Sequence, residues 1–299
     1  MEDTERVKQQ LRNLQGVEPI LSSMRTIAAG SWRAALARLR VARRYVEHYE
    51  QILGGLLDAA TLAQLQRSPL VQRPGAQMRV GMLVVASERG LCGAYNDVVL
   101  EGAEQLISQQ RLRSQQVVLM TLGARAGDFF RRRGYQTALS ESLPVTRVPG
   151  SERLRVLSDT LLQLRLEQNL DALYVLHAPY HSGSLEPPVA SRWLPADISA
   201  LREQVPWPAP ISETERTRLF ERALGEWIHA RFYQLVIEAA ASEQSARFRA
   251  MDAASSNLTR LIEELTQSYH TARQHAITMQ MLDLVAGSGM LEKRSGRSR

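Results

Sequence analysis

Few residues of this 299-residue sequence stand at spacings typical of catalytic or ligand-binding sites. The clearest candidate is SERGLCGAYN, Ser87 to Asn96, which follows the apolar run VGMLVVA and precedes the helix-like DVVLEGAEQLISQ. A strand, a glycine turn and a helix are the parts of a phosphate-binding loop. Gly90 and Gly93 are present, but the loop lacks the third glycine of a dinucleotide fingerprint and the Gly-Lys-Ser/Thr of a P-loop. We therefore predict a tight structural turn, with Asn96 as a helix cap, and no bound nucleotide.

His177 and His181 stand four residues apart, which on a helix would bring two metal ligands to one face. The segment HAPYH follows a strand-like run and contains a proline, so helical geometry is not expected there. No carboxylate completes an HExxH pattern. We predict no metal site at these histidines.

Cys92, Glu263 and Glu264 are the remaining side chains that could do chemistry. Cys92 is the only cysteine of the sequence and has no identifiable histidine partner, so we expect an inert structural thiol. Adjacent glutamates on a helix point to different faces, which favours solvated surface over acid–base work. The sequence thus predicts no catalytic constellation and no cofactor.

The composition is that of a soluble globular protein, with 44% hydrophobic residues, 23% charged residues and a formal net charge of +6. The positive charge is almost all arginine, spread over the chain instead of concentrated in one arm, so nucleic-acid binding is not favoured. Only residues 292–299 read as a disordered basic tail. No apolar run reaches the roughly 18 residues of a membrane span, and the charged start MEDTERVKQQ is unlike a signal peptide. We expect a cytoplasmic chain that begins near Met1 and does not enter a membrane.

The N-terminal segment carries the seam of a coiled coil, with alternate steps of four and three residues. The seam comprises Val7, Leu11, Leu14, Glu18, Leu21, Arg25, Ala28, Trp32, Ala35, Leu39, Ala42, Val46, Tyr49, Leu53 and Leu56. Glu18 and Arg25 interrupt it. Gly16 and Pro19 fall at the same place, so we expect a kink or a late helix start there.

The C-terminal segment carries a similar seam after a capping-box pattern at Ser212 and Glu215. The seam has one slip in its spacing and comprises Met251, Ala254, Leu258, Leu261, Leu265, Tyr269, Ala272, Ala276 and Met279. A helix of about 75 residues would be about 110 Å long, whereas a compact chain of this size is only about 50 Å across. We therefore predict that this helix projects and pairs antiparallel with the N-terminal one.

Between these segments, strand-like runs alternate with helix-like ones, which is typical of a buried, largely parallel sheet. The fold class is therefore α/β, with a long antiparallel coiled coil from both termini and a central Rossmann-like domain. The predicted divisions are an N-terminal coiled-coil helix at 1–63, a linker at 64–77, the central α/β domain at 78–210, a C-terminal coiled-coil helix at 211–291 and the basic tail at 292–299.

Several motifs, in the same order, resemble the gamma subunit of F-type ATP synthases over nearly the full length. SERGLCGAYN is similar to that family's Ser-Asp-Arg-Gly-Leu-Cys-Gly-Gly-Phe-Asn, and Met24, Ile27 and Ala28 fit its first-helix motif. ASEQSARFRAM follows the family's Ala-Ser-Glu-x-x-Ala-Arg-x-x-Ala-Met, and ARQHAIT follows its Ala-Arg-Gln-x-x-Ile-Thr.

The resemblance implies a non-catalytic central rotor stalk that transmits rotation between a membrane ion rotor and the catalytic sites of an alpha/beta ring. The coiled coil would enter the ring of ATP synthase alpha and beta subunits. The α/β body would sit on the membrane c-ring with the epsilon subunit, at the cytoplasmic face of the bacterial inner membrane. The coupling ion, proton or sodium, the direction of the reaction and the type of enzyme, standard or alternate, stay open.

The resemblance also assigns six positions to contact with the beta subunit: Met24, Arg25, Arg273, Gln274, Thr278 and Gln280. It implies that Met24 and Arg25 face Arg273 across the coil. Gln280 stands where the family usually has a glutamate, so one charged contact is missing.

The end of the C-terminal helix, residues 276–291, has apolar residues on most faces, which fits a hydrophobic sleeve in a partner. Five arginines on the first helix would face acidic partner loops or lie in water: Arg33, Arg38, Arg40, Arg43 and Arg44. Two other functions stay open. A coiled-coil scaffold with an α/β nucleotide-binding domain would need a nucleotide at residues 87–96, and a basic helical nucleic-acid binder would show steep salt dependence.

Overall fold

The computed structural model describes residues 2–57, 70–71, 79–112, 116–143, 148–182, 184–197 and 215–295. The elements of that part of the chain are α1 (Glu2–Leu56), β1 (Arg79–Val85), α2 (Tyr95–Leu112), β2 (Gln116–Leu122), α3 (Ala124–Arg132), β3 (Thr137–Glu141), α4 (Ser151–Glu167), β4 (Ala172–His177), β5 (Val189–Leu194) and α5 (Arg216–Ser295). The chain divides into two compact units, Met1–Thr26 with Met251–Arg299, and Ile27–Ala250. Both α1 and α5 contribute to each unit.

The strands form one sheet in the order β3-β2-β1-β4-β5. All neighbouring pairs are parallel except β4 with β5. The predicted α/β fold with a largely parallel sheet is confirmed. Strand β3 is not among the runs that the sequence pattern marks as strands, because its residues TALSE are exposed or half-exposed and lack the apolar run of the other strands.

Alternate residues of β1 supply the two cores that cover the faces of the sheet. Leu83 and Val85 belong to the core built with α1, α4 and α5. Val80, Met82 and Val84 belong to the core built with α2 and α3. The period of two places both sets in apolar surroundings, which explains why β1 reads as a continuous apolar run.

Helix α1 is continuous from Glu2 to Leu56 with Pro19 inside it, so of the two predicted alternatives the late start is wrong, and the kink stays a prediction. Of the predicted seam, every position except Glu18 is buried or half-buried. Proline removes one helical hydrogen bond. Leu14 and Leu21, the seam residues on either side of this region, are half-buried, and burial of an apolar face is the main source of helix stability in proteins.

Helix α5 has 80 residues, which corresponds to a length of about 120 Å. Met251 and Leu258 are buried on its seam, but Leu261 and Met279 are 41% and 58% exposed, so the prediction for these two is wrong. Ile262 takes the place of Leu261 and is half-buried. The slip in the spacing lies earlier along the helix than predicted, because Ala254, Leu258 and Ile262 follow one another at steps of four residues.

Within the unit Ile27–Ala250, three contacts join α1 to α5 in antiparallel order. The Trp32 and Phe248 rings stack with centroids 5.7 Å apart. Arg43 pairs with Glu238 at 2.7 Å, and Trp227 Nε1 donates to Glu50 at 3.2 Å. Residue numbers rise along α1 as they fall along α5, so the predicted antiparallel pairing of the two helices is confirmed.

Two sequence predictions fall largely outside the described residues. Of the linker at 64–77, only Leu70 and Val71 are described, and Ser212 of the capping box is not. None of the helices in the described ranges combines the length and the apolar character that crossing a membrane requires.

Candidate functional site

Four of the predicted contact residues lie near the end of α5, and all are exposed: Arg273, Gln274, Thr278 and Gln280. Arg273 and Gln280 are seven residues apart and share one face of the helix, while Gln274 and Thr278 share the adjacent face. The Thr278 hydroxyl donates to the Gln274 carbonyl at 2.9 Å, so it is satisfied within the helix. The segment therefore presents an arginine and two amides to solvent.

Met24 and Arg25 lie half-buried on α1 in the same unit. Arg25 pairs with Asp252 of α5 at 3.2 Å, between side chains that are 40% and 52% exposed. Asp252 precedes Arg273 by 21 residues, which is about 30 Å along the helix. The expectation that Arg25 faces Arg273 is therefore wrong. A pair this exposed stabilises the helix pairing by less than about 1 kcal/mol.

The end of α5 exposes a set of large apolar side chains, which we call the apolar end. They are 47% to 74% exposed and comprise Ile277, Met279, Met281, Leu282, Leu284 and Val285. At about 100° per residue they occupy more than half of the helix circumference. No single partner helix could cover such a surface, whereas an enclosing sleeve could.

The predicted row of five arginines on α1 divides into two groups. Arg38 donates to the carbonyls of Val148 and Pro149, and Arg43 pairs with Glu238. These two bind their own chain. Arg33, Arg40 and Arg44 are exposed.

The loop from Ser87 to Asn96 is held by its own side chains. The Asn96 side-chain oxygen accepts from the Ser87 amide at 3.2 Å and lies 2.9 Å from the Ser87 hydroxyl. It thus ties the loop to β1, and the expectation that Asn96 caps the helix is wrong. Gly93 adopts a φ of 59°, a conformation that glycine adopts without strain.

Arg247 of α5 binds the backbone of this loop. Its guanidinium donates to the carbonyls of Arg89 and Gly90 at 3.0 and 3.4 Å and pairs with Glu243 at 2.6 Å. Both members of the ion pair are only about a tenth exposed. Burial raises the pKa of Glu243, and the charge of Arg247 partly offsets that rise. The loop therefore directs carbonyl oxygens at a cation, the opposite of a phosphate cradle.

Helix α5 also fills the place where this sheet topology usually binds ligands, the crevice beyond the carboxyl ends of β1 and β4. Ala246 packs there in one core with Ala86 and Ala178, which directly follow those two strands. A cavity of about 20 Å³ remains beside Val85 and Glu243, room for about one water molecule. A cavity of this size cannot hold a nucleotide.

Cys92 is 1% exposed. Its sulfur lies 3.1 Å from the Asn96 amide nitrogen and 3.9 Å from the Ser87 hydroxyl. Burial raises the pKa of the thiol, which keeps it in the unreactive protonated form. These contacts fit the predicted structural role.

His177 and His181 have different surroundings. His177 ends β4, is 2% exposed, and has Nε2 3.2 Å from the Ser191 hydroxyl. Burial lowers its pKa. His181 lies in an exposed loop. Across the described ranges, no three His, Cys, Asp or Glu side chains are placed to hold a metal ion.

The sequence does not predict a polar cluster that the structure places between α4 and α5. His229 of α5 contacts Ser158 and Asp159 of α4, beside an ion pair of Arg155 with Glu226. Although serine, histidine and aspartate meet here, Ser158 is fully buried and cannot reach a substrate. The cluster borders a groove of about 700 Å³ between α1, α4 and α5. Because α4 and α5 meet only in the fold, no local motif indicates this cluster.

Comparison with known proteins gives one consistent family. A family model described as ATP synthase matches residues 3–291. The ATP synthase gamma chain of Mycobacterium ulcerans (strain Agy99) is 32% identical, over 94% of this chain and 95% of that protein. The ATP synthase gamma chain of Synechococcus sp. (strain JA-2-3B'a(2-13)) is 29% identical, over 97% of this chain and 100% of that protein.

Solved structures share the fold at low identity. A chain of the Euglena gracilis mitochondrial ATP synthase, in a structure of its OSCP, F1 and c-ring, aligns with a TM-score of 0.64 and 15% identity, over 100% of this chain and 97% of that one. A chain from the central stalk and c-ring of the Tetrahymena thermophila mitochondrial enzyme aligns with a TM-score of 0.55 and 16% identity, over 79% and 99%.

Proposed function

The chain belongs to the family of ATP synthase gamma chains, and from this we propose how its particular residues engage the rest of the enzyme. It is a non-catalytic subunit of the rotary central stalk, and catalysis lies in the beta subunits. Its partners are other subunits of the ATP synthase, and it is a peripheral part of that membrane-bound complex.

The observation that carries the proposal is the apolar end of α5. An apolar surface on most sides of one helix is unfavourable in water and becomes favourable when it is enclosed. We propose that an alpha/beta ring supplies the enclosing sleeve. The α/β body then contacts the c-ring and the epsilon subunit, at the cytoplasmic face of a bacterial inner membrane.

Rotation couples the two ends because the stalk is asymmetric. The two faces of α5 near residue 273 differ, one carrying Arg273 with Gln280 and the other Gln274 with Thr278. Each beta subunit would meet a different face at a given angle, so the catalytic sites would hold unequal conformations. Turning the stalk changes which site is open. Under this proposal, Met24 and Arg25 form a second contact region. Arg25 pairs with Asp252, which lies about 30 Å from Arg273 along α5.

The first prediction concerns Arg273. Replacing it with alanine should lower ATP turnover of the assembled enzyme about tenfold, the effect of losing one charge-assisted hydrogen bond of about 1.5 kcal/mol. The thermal unfolding of the isolated chain should not change, because Arg273 is exposed. Arg260→Ala is the matched control: Arg260 is an exposed arginine of α5 that pairs with Glu264 of its own helix. Turnover equal to that of the control would mean that Arg273 is ordinary surface.

The partners are tested by affinity purification of the tagged full chain from its host in mild detergent. We expect ATPase alpha and beta subunits, the epsilon subunit and the c subunit to be recovered together. Recovery of the chain without alpha and beta subunits would overturn the proposal. A high-salt wash separates the alternatives, since a nucleic-acid binder would release its ligand steeply with salt whereas an apolar sleeve would not.

A further inference from the structure

The His229 ring is enclosed between α4 and α5. The side chain is 17% exposed, and each of its ring nitrogens has a partner on α4. Nδ1 is in hydrogen-bond contact with the Ser158 hydroxyl. Nε2 lies 3.5 Å from a carboxylate oxygen of Asp159. This one residue therefore connects α5 to two consecutive residues of α4.

The neutral ring satisfies both partners at once. With its proton on Nε2, the imidazole faces the Asp159 carboxylate, and Nδ1 accepts the Ser158 hydroxyl proton. Protonation of Nδ1 ends that arrangement, because the Ser158 hydroxyl must then turn and accept. Its own proton needs a new acceptor, and the carbonyl four residues earlier is the usual one for a serine inside a helix. Ser158 is fully buried, so water offers no alternative.

Three charged side chains on α4 and α5 act on the ring: Asp159, Arg155 and Glu226. Arg222 of α5 acts in turn on Glu226. Other titratable groups line the groove that the ring borders: Glu152 on α4, Tyr233 on α5, and Arg38 and Tyr45 on α1. Arg155 and Glu226 are joined by two hydrogen bonds of 3.1 and 2.6 Å and largely neutralise each other. Asp159 is 61% exposed, so solvent weakens its attraction for an added proton.

We propose that His229 is a proton-sensitive contact, which holds α4 against α5 while its ring is neutral and loosens that packing below neutral pH. The role is separate from the transmission of rotation and does not depend on it. It would make the attachment of α4 to the stalk helix responsive to the acidity of the compartment that surrounds the body.

The sign follows from the environment of the ring. Burial lowers the pKa of His229, Arg155 lowers it further, and Asp159 and Glu226 raise it in part. A histidine in an opened segment has a pKa of about 6.5, above that of the packed ring. Protons therefore bind the opened state more readily. The stabilising contact is complete above about pH 6.5 and is lost as the pH falls below that value.

The test is hydrogen exchange of the full chain, read by mass spectrometry over residues 151–167 at about pH 7.5 and about pH 5.5. After correction for the intrinsic rate, exchange of α4 should be several-fold faster at the lower pH. His229→Gln should remove that difference. His275→Gln, on an exposed histidine of α5, should keep it. Reading α4 alone separates this effect from His177, the buried histidine of the sheet.

A second variant covers the case in which His229→Gln fails to fold. Asp159→Asn keeps a side chain of the same size at an exposed position and removes the charge that favours the protonated ring. It should increase the acid-induced exchange of α4. The proposal is overturned if His229→Gln exchanges with the wild-type pH dependence, or if Asp159→Asn leaves that dependence unchanged.

Discussion

Alanine in place of Gly123 is expected to destabilise the chain by about 3 kcal/mol or more. Gly123 directly precedes α3 with a φ of 96° and a ψ of 136°, a region that only glycine occupies without strain. A Cβ there would lie 2.2 Å from the carbonyl oxygen of Ala86. Backbone strain of about 1–3 kcal/mol adds to that clash. Because Ala86 joins β1 to the loop that Arg247 binds, the chain cannot move aside locally. Chemical denaturation of the full chain measures the effect.

Two other glycines provide matched controls. Gly134 has a φ of 77° but no neighbouring atom within 4 Å of the place a Cβ would take, so Gly134→Ala should show the strain alone, about 1 kcal/mol. Gly150 has a φ of −75° and equally open surroundings, so Gly150→Ala should add no strain and should cost less than about 1 kcal/mol, the loss of a favoured residue at the N-cap of α4. If Gly123→Ala were no more destabilised than Gly134→Ala, the close approach of Ala86 would be wrong.

Deleting Met279 to Arg299 should abolish coupled ATP synthesis or prevent assembly, while the fold of the isolated chain stays intact. Among the deleted residues whose side chains the structure describes, five are large, apolar and exposed: Met279, Met281, Leu282, Leu284 and Val285. Each contributes about 1.5 kcal/mol or more when enclosed, so the sleeve loses on the order of 7 kcal/mol. In the free chain these groups already face water, so unfolding of the remainder should change little. Size-exclusion chromatography measures the assembly of the complex, and ATP-driven ion pumping in membrane vesicles measures the coupling.

The control deletion removes only residues 292–299, the basic tail. It leaves the five apolar side chains in place, so assembly and pumping should stay near wild type. Full ion-coupled synthesis by the longer deletion would show that the apolar end has no enclosing partner.

The seam of α1 is predictable because the physics is local and repetitive. Steps of four and three residues place Ala28, Ala35, Leu39 and Val46 on one face, and all four are buried. The continuity of the helix at Pro19 is not predictable in this way. The prediction considers only the one hydrogen bond that a proline removes, whereas the stability of a helix depends mainly on how much of its apolar face is buried in the fold. The exchange of Leu261 for Ile262 has the same origin, since only the partner helix decides where the spacing slips.

Which of the candidate contact residues face each other across the two helices is not predictable from the sequence. Sequence similarity places Arg273 and Arg25 together, but the ion pair of Arg25 with Asp252 sets the register of the two helices differently. A motif match carries no information on register. The cluster around His229 is equally hidden, because Ser158 and His229 are 71 residues apart and meet only when α4 packs on α5. By contrast, the turn at SERGLCGAYN is local and is predictable from its glycines and polar residues, and the absence of phosphate-binding residues predicts no bound nucleotide there.

Direct observation of rotation tests the central claim that this chain turns within an alpha/beta ring. Arg131 lies on α3 with a side chain 77% exposed, so Arg131→Cys offers a labelling site, and the buried Cys92 should not compete for the label. With the ring fixed to a surface and a bead on residue 131, ATP should drive continuous rotation in one direction. ATP hydrolysis at the full rate with a stationary or randomly fluctuating bead would contradict the account.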